Sequence, residues 1–447
     1  MSISQCSPAT TNAKTNMTTK LLVGAAEVDI TPPVGTFLAG NLQPRPSIGV
    51  DDPLTFKAVV FEAGGETFAY VLADLLFLKR PLGDALVALA AQRTGIPASN
   101  IVWAASHTHT GPYTWPVPGA MNDAWVATLP EQFARVVELA HAARRPAKLC
   151  LTRGYCSAVI HNRRLKYKDG REINTWLLNG GEAEVQCLGS AAPIDPEVGI
   201  LSFDDERGVP ITILWHFTLH LTTNFGPRFS ADYPGVVAGR LRERFGPTTV
   251  PIFMPGAFGD INGLGPDTLR DHQGYRFVGD QLANVIIQCL DQRKPRPVEP
   301  VLGVIKQEVT VPFRDFTVDQ EQRIKASQWS PEMQKHFQNE LELVRQAGIK
   351  TADTLIQAWR IGDIGFVSFP GELFVEWGLK IKAESPFPWT FPVYAGGDCL
   401  GYLVTQQAWE AGGYESLITR YSPVSAEGVV KLVETAQQCL VQLWNRK

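Results

Sequence analysis

The chain has 447 residues, 45% of them hydrophobic and 19% charged, with a formal net charge of −4, so it is long enough to bury a large core and polar enough to stay in water. This mild acidity, with no basic stripe and no aromatic-and-arginine platform, excludes nucleic acid as a partner. No stretch reads as a membrane span, so no stable membrane insertion is expected.

Residues 1–20, MSISQCSPATTNAKTNMTTK, lack the charged and apolar blocks of a secretion signal and read as a disordered leader before one folded unit, 21–447. The cysteines, Cys6, Cys150, Cys156, Cys187, Cys289, Cys399 and Cys439, are seven in number and have no C-x-x-C spacing, which points to a reducing, cytoplasmic setting. ETFAYVLADLLFL (66–78) reads as a buried strand, PLGDALVALAAQRTG (81–95) as a helix ending at Gly95, and NIVWAAS (100–106) as the next strand. The β–α–β order predicts an α/β fold, a mixed β-sheet core with flanking helices and its site at strand ends. No internal repeat is visible.

Further along, the pattern predicts a helix around 130–144, a strand over 147–156 and a hairpin over 199–218 turning at Arg207-Gly208. A helix (234–246), a strand (250–256) and a helix (276–292) follow. Residues 317–349, charged and rich in Gln and Glu, form a helical insertion or cap over the core. A second hairpin (354–369) turns at Gly362-Asp363, and an amphipathic helix (425–444) carries Val429, Leu432, Val433, Ala436, Leu440 and Leu443 as a packing stripe.

ASHTHTGP (105–112) sets two imidazoles one residue apart at a predicted strand end, where alternate side chains share a face, so His107 and His109 project together. Taken alone, the pair fits hydrogen-bonded structural histidines as well as it fits a metal. WHFTLHLTT (215–223) adds His216 and His220 at another strand end, so four of the eight histidines lie at two such ends. SFPGELF (368–374) places Glu372 where a strand gives way to a helix. Two His and one carboxylate with an open position make a catalytic zinc set. His216, inside the strand run, reads as core. GDINGLGPD (259–267) offers Asp260, Asn262 and Gly265, but Leu264 stands where a calcium loop needs an oxygen, so it reads as a tight turn. No G-x-S-x-G elbow is present.

DITPPVG (29–35), SHTHTGP (106–112), HNRR (161–164), FTLH (217–220), SADYPG (230–235), FGDIN (258–262), FPGELF (369–374) and GYLVTQQAWEAGGYE (401–415) resemble, in order and spacing, the neutral/alkaline ceramidase catalytic domain. The resemblance implies a mixed α/β hydrolytic fold and zinc-dependent cleavage of an N-acyl amide. It implies His107, His220 and Glu372 as zinc ligands, His109 facing the substrate carbonyl and Arg163 donating to its oxygen. It breaks at Asn262, where the family has serine, and at Cys399, which falls where the family has a zinc-bound tyrosine. Cys399, or Tyr402 three residues on, is then the fourth ligand, and Asp260 is the nearest unassigned carboxylate for a general base. The family's immunoglobulin-like carboxy-terminal domain and secretion signal are not expected. The expected partner is a small-molecule N-acyl amide other than membrane ceramide, with a homo-oligomer compatible. A zinc lactonase or esterase and a non-catalytic binding homologue are the alternatives.

Overall fold

Strands form where β-branched and aromatic runs are bounded by turn residues. The tightest case is Gly64-Gly65, with φ of 61° and 86°, which closes a two-residue hairpin that side chains would disfavour. The computed structural model describes residues 20–40, 44–175, 187–263, 274–297, 299–315, 318–327 and 329–446. Residues 1–19 of the expected leader, and Leu264 and Gly265 of the turn at 259–267, lie outside the described residues.

The sequence does not repeat, but the topology does. Strands β1 (Leu22–Asp29), β2 (Thr55–Ala63) and β3 (Glu66–Ala73) are antiparallel neighbours, helix α1 (Arg80–Thr94) crosses over, and β4 (Ile101–Ala105) returns parallel to β3. Helix α2 (Leu129–Ala142) then packs across β1 and β2. The same order recurs in β5 (Lys148–Tyr155), β6 (Glu197–Asp204), β7 (Pro210–Phe217), α3 (Tyr233–Phe245), β8 (Val250–Pro255) and α4 (Gly274–Asp291), with β8 parallel to β7. It recurs again in β9 (Leu302–Pro312), β10 (Thr351–Ile361), β11 (Ile364–Ser368), α7 (Val375–Glu384), β12 (Trp389–Val393) and α8 (Ala426–Asn445), with β12 parallel to β11. Two further helices, α5 (Val318–Ala326) and α6 (Pro331–Ala347), are inserted between β9 and β10. Their apolar residues Ile324, Phe337, Leu341 and Val344 pack on Leu417 and Ile418, apart from the main core.

The inner faces of the three sheets meet in one core. Phe61 of the first touches Phe203 of the second at 5.0 Å between ring centroids, and Tyr70 of the first stacks on Trp359 of the third at 5.5 Å. Truncating one such ring to Ala costs about 3–5 kcal/mol. The parallel strands of all three sheets end in loops that converge on the site.

The predicted strand over 66–78 stops at Ala73. Asp74 turns in to accept from the Thr55 amide (3.1 Å), the Thr55 hydroxyl (2.6 Å) and Lys57 Nζ (2.9 Å), which ends the ladder. The apolar run 75–78 is buried because it backs the site, Leu75 O and Leu76 O both meeting His107. Among the described residues no helix is long and apolar enough to cross a membrane.

Candidate metal centre

His107 follows β4 but does not continue its pleat. It takes φ 73°, so the two imidazoles converge through a turn and not through strand alternation, as the spacing had predicted. Its amide donates to Leu75 O (2.9 Å) and its Nδ1 meets Leu76 O (2.8 Å), both in the loop after β3. His109 Nδ1 meets Gly40 O at 2.8 Å. A Cβ on Gly40, whose φ is 86°, would lie 2.6 Å from that same nitrogen, so the approach needs glycine. His220, in the loop after β7, sets Nδ1 3.3 Å from Phe258 O.

A carbonyl oxygen only accepts, so His107 and His109 carry a proton on Nδ1, whereas His220 Nδ1 faces both the Phe258 carbonyl and Arg163 Nη1 (3.4 Å), a donor. The donor nitrogens of His107, His109 and His220 lie within 4.8 Å of one another, and His109 Nε2 is 3.1 Å from His220 Nε2. That separation fits either a proton shared between the two rings or two nitrogens turned toward one cation. Glu372, at the start of the loop after β11, completes the group. Its Oε1 accepts from Tyr421 OH (2.5 Å), while Oε2 faces the rings, 3.5 Å from His107 Nε2 and 3.9 Å from His220 Nε2, without a well-formed hydrogen bond. Tyr394 OH lies 3.3 Å from His107 Nε2.

Burial, reinforced by His107, pushes His109 down to about 3. Burial, with His107 and Arg163, also lowers His220 well below its ordinary value, so both imidazoles are neutral at pH 7. Burial alone would raise Glu372, but His107 and the surrounding hydrogen bonds outweigh it and hold the carboxyl at about 2. Neutral imidazoles with one carboxylate are a donor set that fits a divalent cation.

Arg163 lies behind His220, with Nη1 3.4 Å from Nδ1 and Nε on Glu415 Oε1 at 2.8 Å, and its guanidinium stands 5.4 Å from the Tyr402 ring. Tyr402 pairs with Glu372 in a short parallel bridge. The other sequence candidates stand further off. Asp260 spends Oδ1 on the amide of Val375 (2.8 Å), the first residue of α7, and Oδ2 on Asn162 Nδ2 (2.7 Å), so it anchors a helix start and is not among the converging donors. Asn262 accepts from Thr222 OH at 3.2 Å. Cys399, also outside that group, places Sγ 3.6 Å from Tyr421 OH, and burial pushes its thiol up to about 11. His216, read as core, gives Nε2 to Pro392 O at 2.8 Å.

Sequence reasoning missed Tyr394, Tyr421 and Glu415. Glu415 is fully buried between Arg163 and Arg164, and although it closes the GGYE run, nothing in its spacing marks it as the counter-charge. Tyr394 and Tyr421 reach Glu372 only through the loops after β12 and beyond.

No protein-family model matches this sequence, and no curated relative does. Solved structures do match. A neutral ceramidase from Pseudomonas aeruginosa superposes with a TM-score of 0.72 at 18% identity, over 95% of this chain and 74% of that one. A ceramidase complexed with C2 superposes with a TM-score of 0.71 at 17% identity, over 96% of this chain and 76% of that one. The chain therefore has the mixed α/β fold of neutral ceramidase.

Proposed function

We propose that this protein is a zinc-dependent hydrolase that cleaves the C–N bond of an N-acyl amide by metal-activated water. The observation that carries the reading is the buried convergence of three imidazoles with Glu372, whose Oε2 lies 3.5 Å from His107 Nε2 and 3.9 Å from His220 Nε2. The shared fold of neutral ceramidase supports the amide as substrate class. His107, His220 and Glu372 hold the ion. When bound, zinc supplies Lewis acidity toward the carbonyl oxygen and brings the pKa of a coordinated water to about 7.

The chain's own groups do the rest. His109, neutral and tethered through Nδ1 to Gly40, turns its Nε2 lone pair to the edge of the cluster, beside the substrate carbonyl, where it accepts from the attacking water. Arg163 keeps its charge because Tyr402 and Glu415 outweigh the cost of its burial, and it supplies the positive potential that a developing oxyanion needs. Tyr421 holds Glu372 so that Oε2 stays turned to the rings. Asn262 fits this scheme, since activated water needs no serine nucleophile. All six described cysteines are unpaired, which suits the cytoplasmic setting we assign.

The test is metal analysis of the purified protein, followed by a screen of N-acyl amides beside lactones and esters. About one zinc per chain and preferential amide cleavage are expected. A protein without bound zinc at any stage, or one that turns over only lactones, overturns the reading.

A further inference from the structure

Three non-glycine residues among those described take a positive φ, and all three border the metal centre. His107 (73°) is one of the converging imidazoles, and Ala395 (46°) follows Tyr394, whose hydroxyl faces His107 Nε2. The third is Asp232, at φ 61° and ψ −155°, a corner of backbone space in practice reserved for glycine. Such a conformation costs free energy and persists only where its surroundings hold it.

The Asp232 carboxylate is fully buried and both its oxygens are engaged. Oδ1 accepts from the amide of Tyr233 (2.6 Å), which opens α3, and from the Thr223 hydroxyl, while Oδ2 accepts from the amides of Thr223 (3.1 Å) and Asn224 (3.0 Å). Tyr233 OH reaches back to Leu219 O at 2.6 Å. His220 is thus fastened on both sides, at the residue before it and at residues soon after it. Ser230 faces the other histidine loop. Its carbonyl accepts from the hydroxyls of Thr108 (2.7 Å) and Thr110 (2.9 Å), which flank His109, and the His109 amide points at Leu221 O (3.4 Å). One short segment, 230–233, therefore grips both loops whose imidazoles stand 3.1 Å apart at Nε2. An ordinary φ at Asp232 would turn either the carboxylate or Ser230 away from its loop.

We propose that Asp232 is a positioning residue, whose strained backbone and carboxylate set His220 against His109 in the folded protein before an ion binds. Its service to a metal rests on the hydrolase reading above, while the fixing of the two loops does not. Asp232 is not among the converging donors and acts only through the imidazoles it places. Donors already gathered lose little conformational freedom on binding, so loosening them appears as weaker metal affinity.

Asp232→Asn tests this in the full-length protein, since the side-chain amide keeps the size but turns N–H donors toward groups that themselves donate. Tyr233→Phe, which removes only the bond to Leu219 O, is the milder second variant. Phe203→Leu is the control: it lowers stability from a buried position paired with Thr212 near the start of β7, away from the loop that leaves its end. In competition with a chelator, Asp232→Asn should bind zinc about 10–100-fold more weakly and Tyr233→Phe several-fold, with Phe203→Leu unchanged. The visible absorption of bound Co2+, which reports ligand geometry, should shift in Asp232→Asn and not in the control. Parent zinc affinity in both Asp232→Asn and Tyr233→Phe, or an equal loss in Phe203→Leu, overturns the proposal. If the parent binds neither ion, the metal reading falls and amide hydrogen exchange decides. Faster exchange at 219–224 in Asp232→Asn than in Phe203→Leu then upholds the positioning role, and equal exchange sinks it.

Discussion

Replacing Glu415 tests the electrostatic support behind the centre. The carboxylate is fully buried and accepts from Arg163 Nε (2.8 Å) and Asn174 Nδ2 (2.6 Å) on Oε1 and from Arg164 Nη1 (2.7 Å) on Oε2. Arg164 has a second carboxylate in Glu172, so Glu415→Ala leaves Arg163 as the poorly compensated charge. Removing one partner of a buried pair costs about 3–5 kcal/mol, out of a total stability on the order of 5–15 kcal/mol. Glu415→Gln keeps an acceptor for Arg163 and Asn174 but turns an amide N–H toward Arg164 Nη1. One misplaced donor costs about 1–3 kcal/mol, so Gln should be the milder change. Adding Arg164→Met to Glu415→Gln removes the opposed donor and should recover part of the loss. Urea unfolding at constant m-value measures all three. A loss below about 1 kcal/mol for Glu415→Ala would show that the pair is not the buried, desolvated one described, and a Gln variant less stable than the Ala variant would refute the donor-on-donor argument.

His109→Ala should keep its zinc and lose most hydrolysis, whereas His220→Ala should lose both; metal loss from His109→Ala would make it a ligand. Tyr421→Phe should weaken zinc by about 10–100-fold in competition with a chelator, the usual effect of removing an outer hydrogen bond to a ligand. Cys399→Ser should keep both its zinc and its pH optimum, since the thiol lies on Tyr421 and not among the converging donors. Burial, only partly offset by hydrogen bonds from Ser230 and Ala231, raises Asp52 to about 6, while the unfolded chain ionises it near 3.9. Its contribution to stability is therefore greatest below about pH 4 and falls as pH rises through 6. Asp52→Asn should match the parent at low pH and exceed it by on the order of 1–3 kcal/mol at pH 8 in thermal or urea unfolding.

Local pattern carried much of the fold. The turns at Arg207-Gly208 and Gly362-Asp363 were legible because Gly208 and Gly362 adopt φ of 81° and 59°, which glycine allows, and α1 ends at Gly95 for the same reason. The strand over 66–78 ran too far because burial behind a site and burial in a sheet look alike in composition. The histidines and Glu372 were legible because strand ends collect functional groups. Glu415 and Tyr421 were not, because each gains its meaning from partners on distant loops: Arg163 for one, Glu372 for the other. The threefold recurrence was hidden as well, since topology can repeat where side chains do not.

That recurrence bears on when the centre comes into being. The first sheet brings His107 and His109, the second His220, and the third Glu372, so no sheet alone can close around an ion. With the proposed ligand set, binding follows the docking of all three, and its free energy then stabilises the seams between them and not the hairpins within each. Chelation should leave the sheets intact while their mutual faces exchange amide hydrogens sooner, as three blocks released from a common clasp. A chain carrying only the first two sheets would keep its imidazoles and lack the carboxylate that faces them.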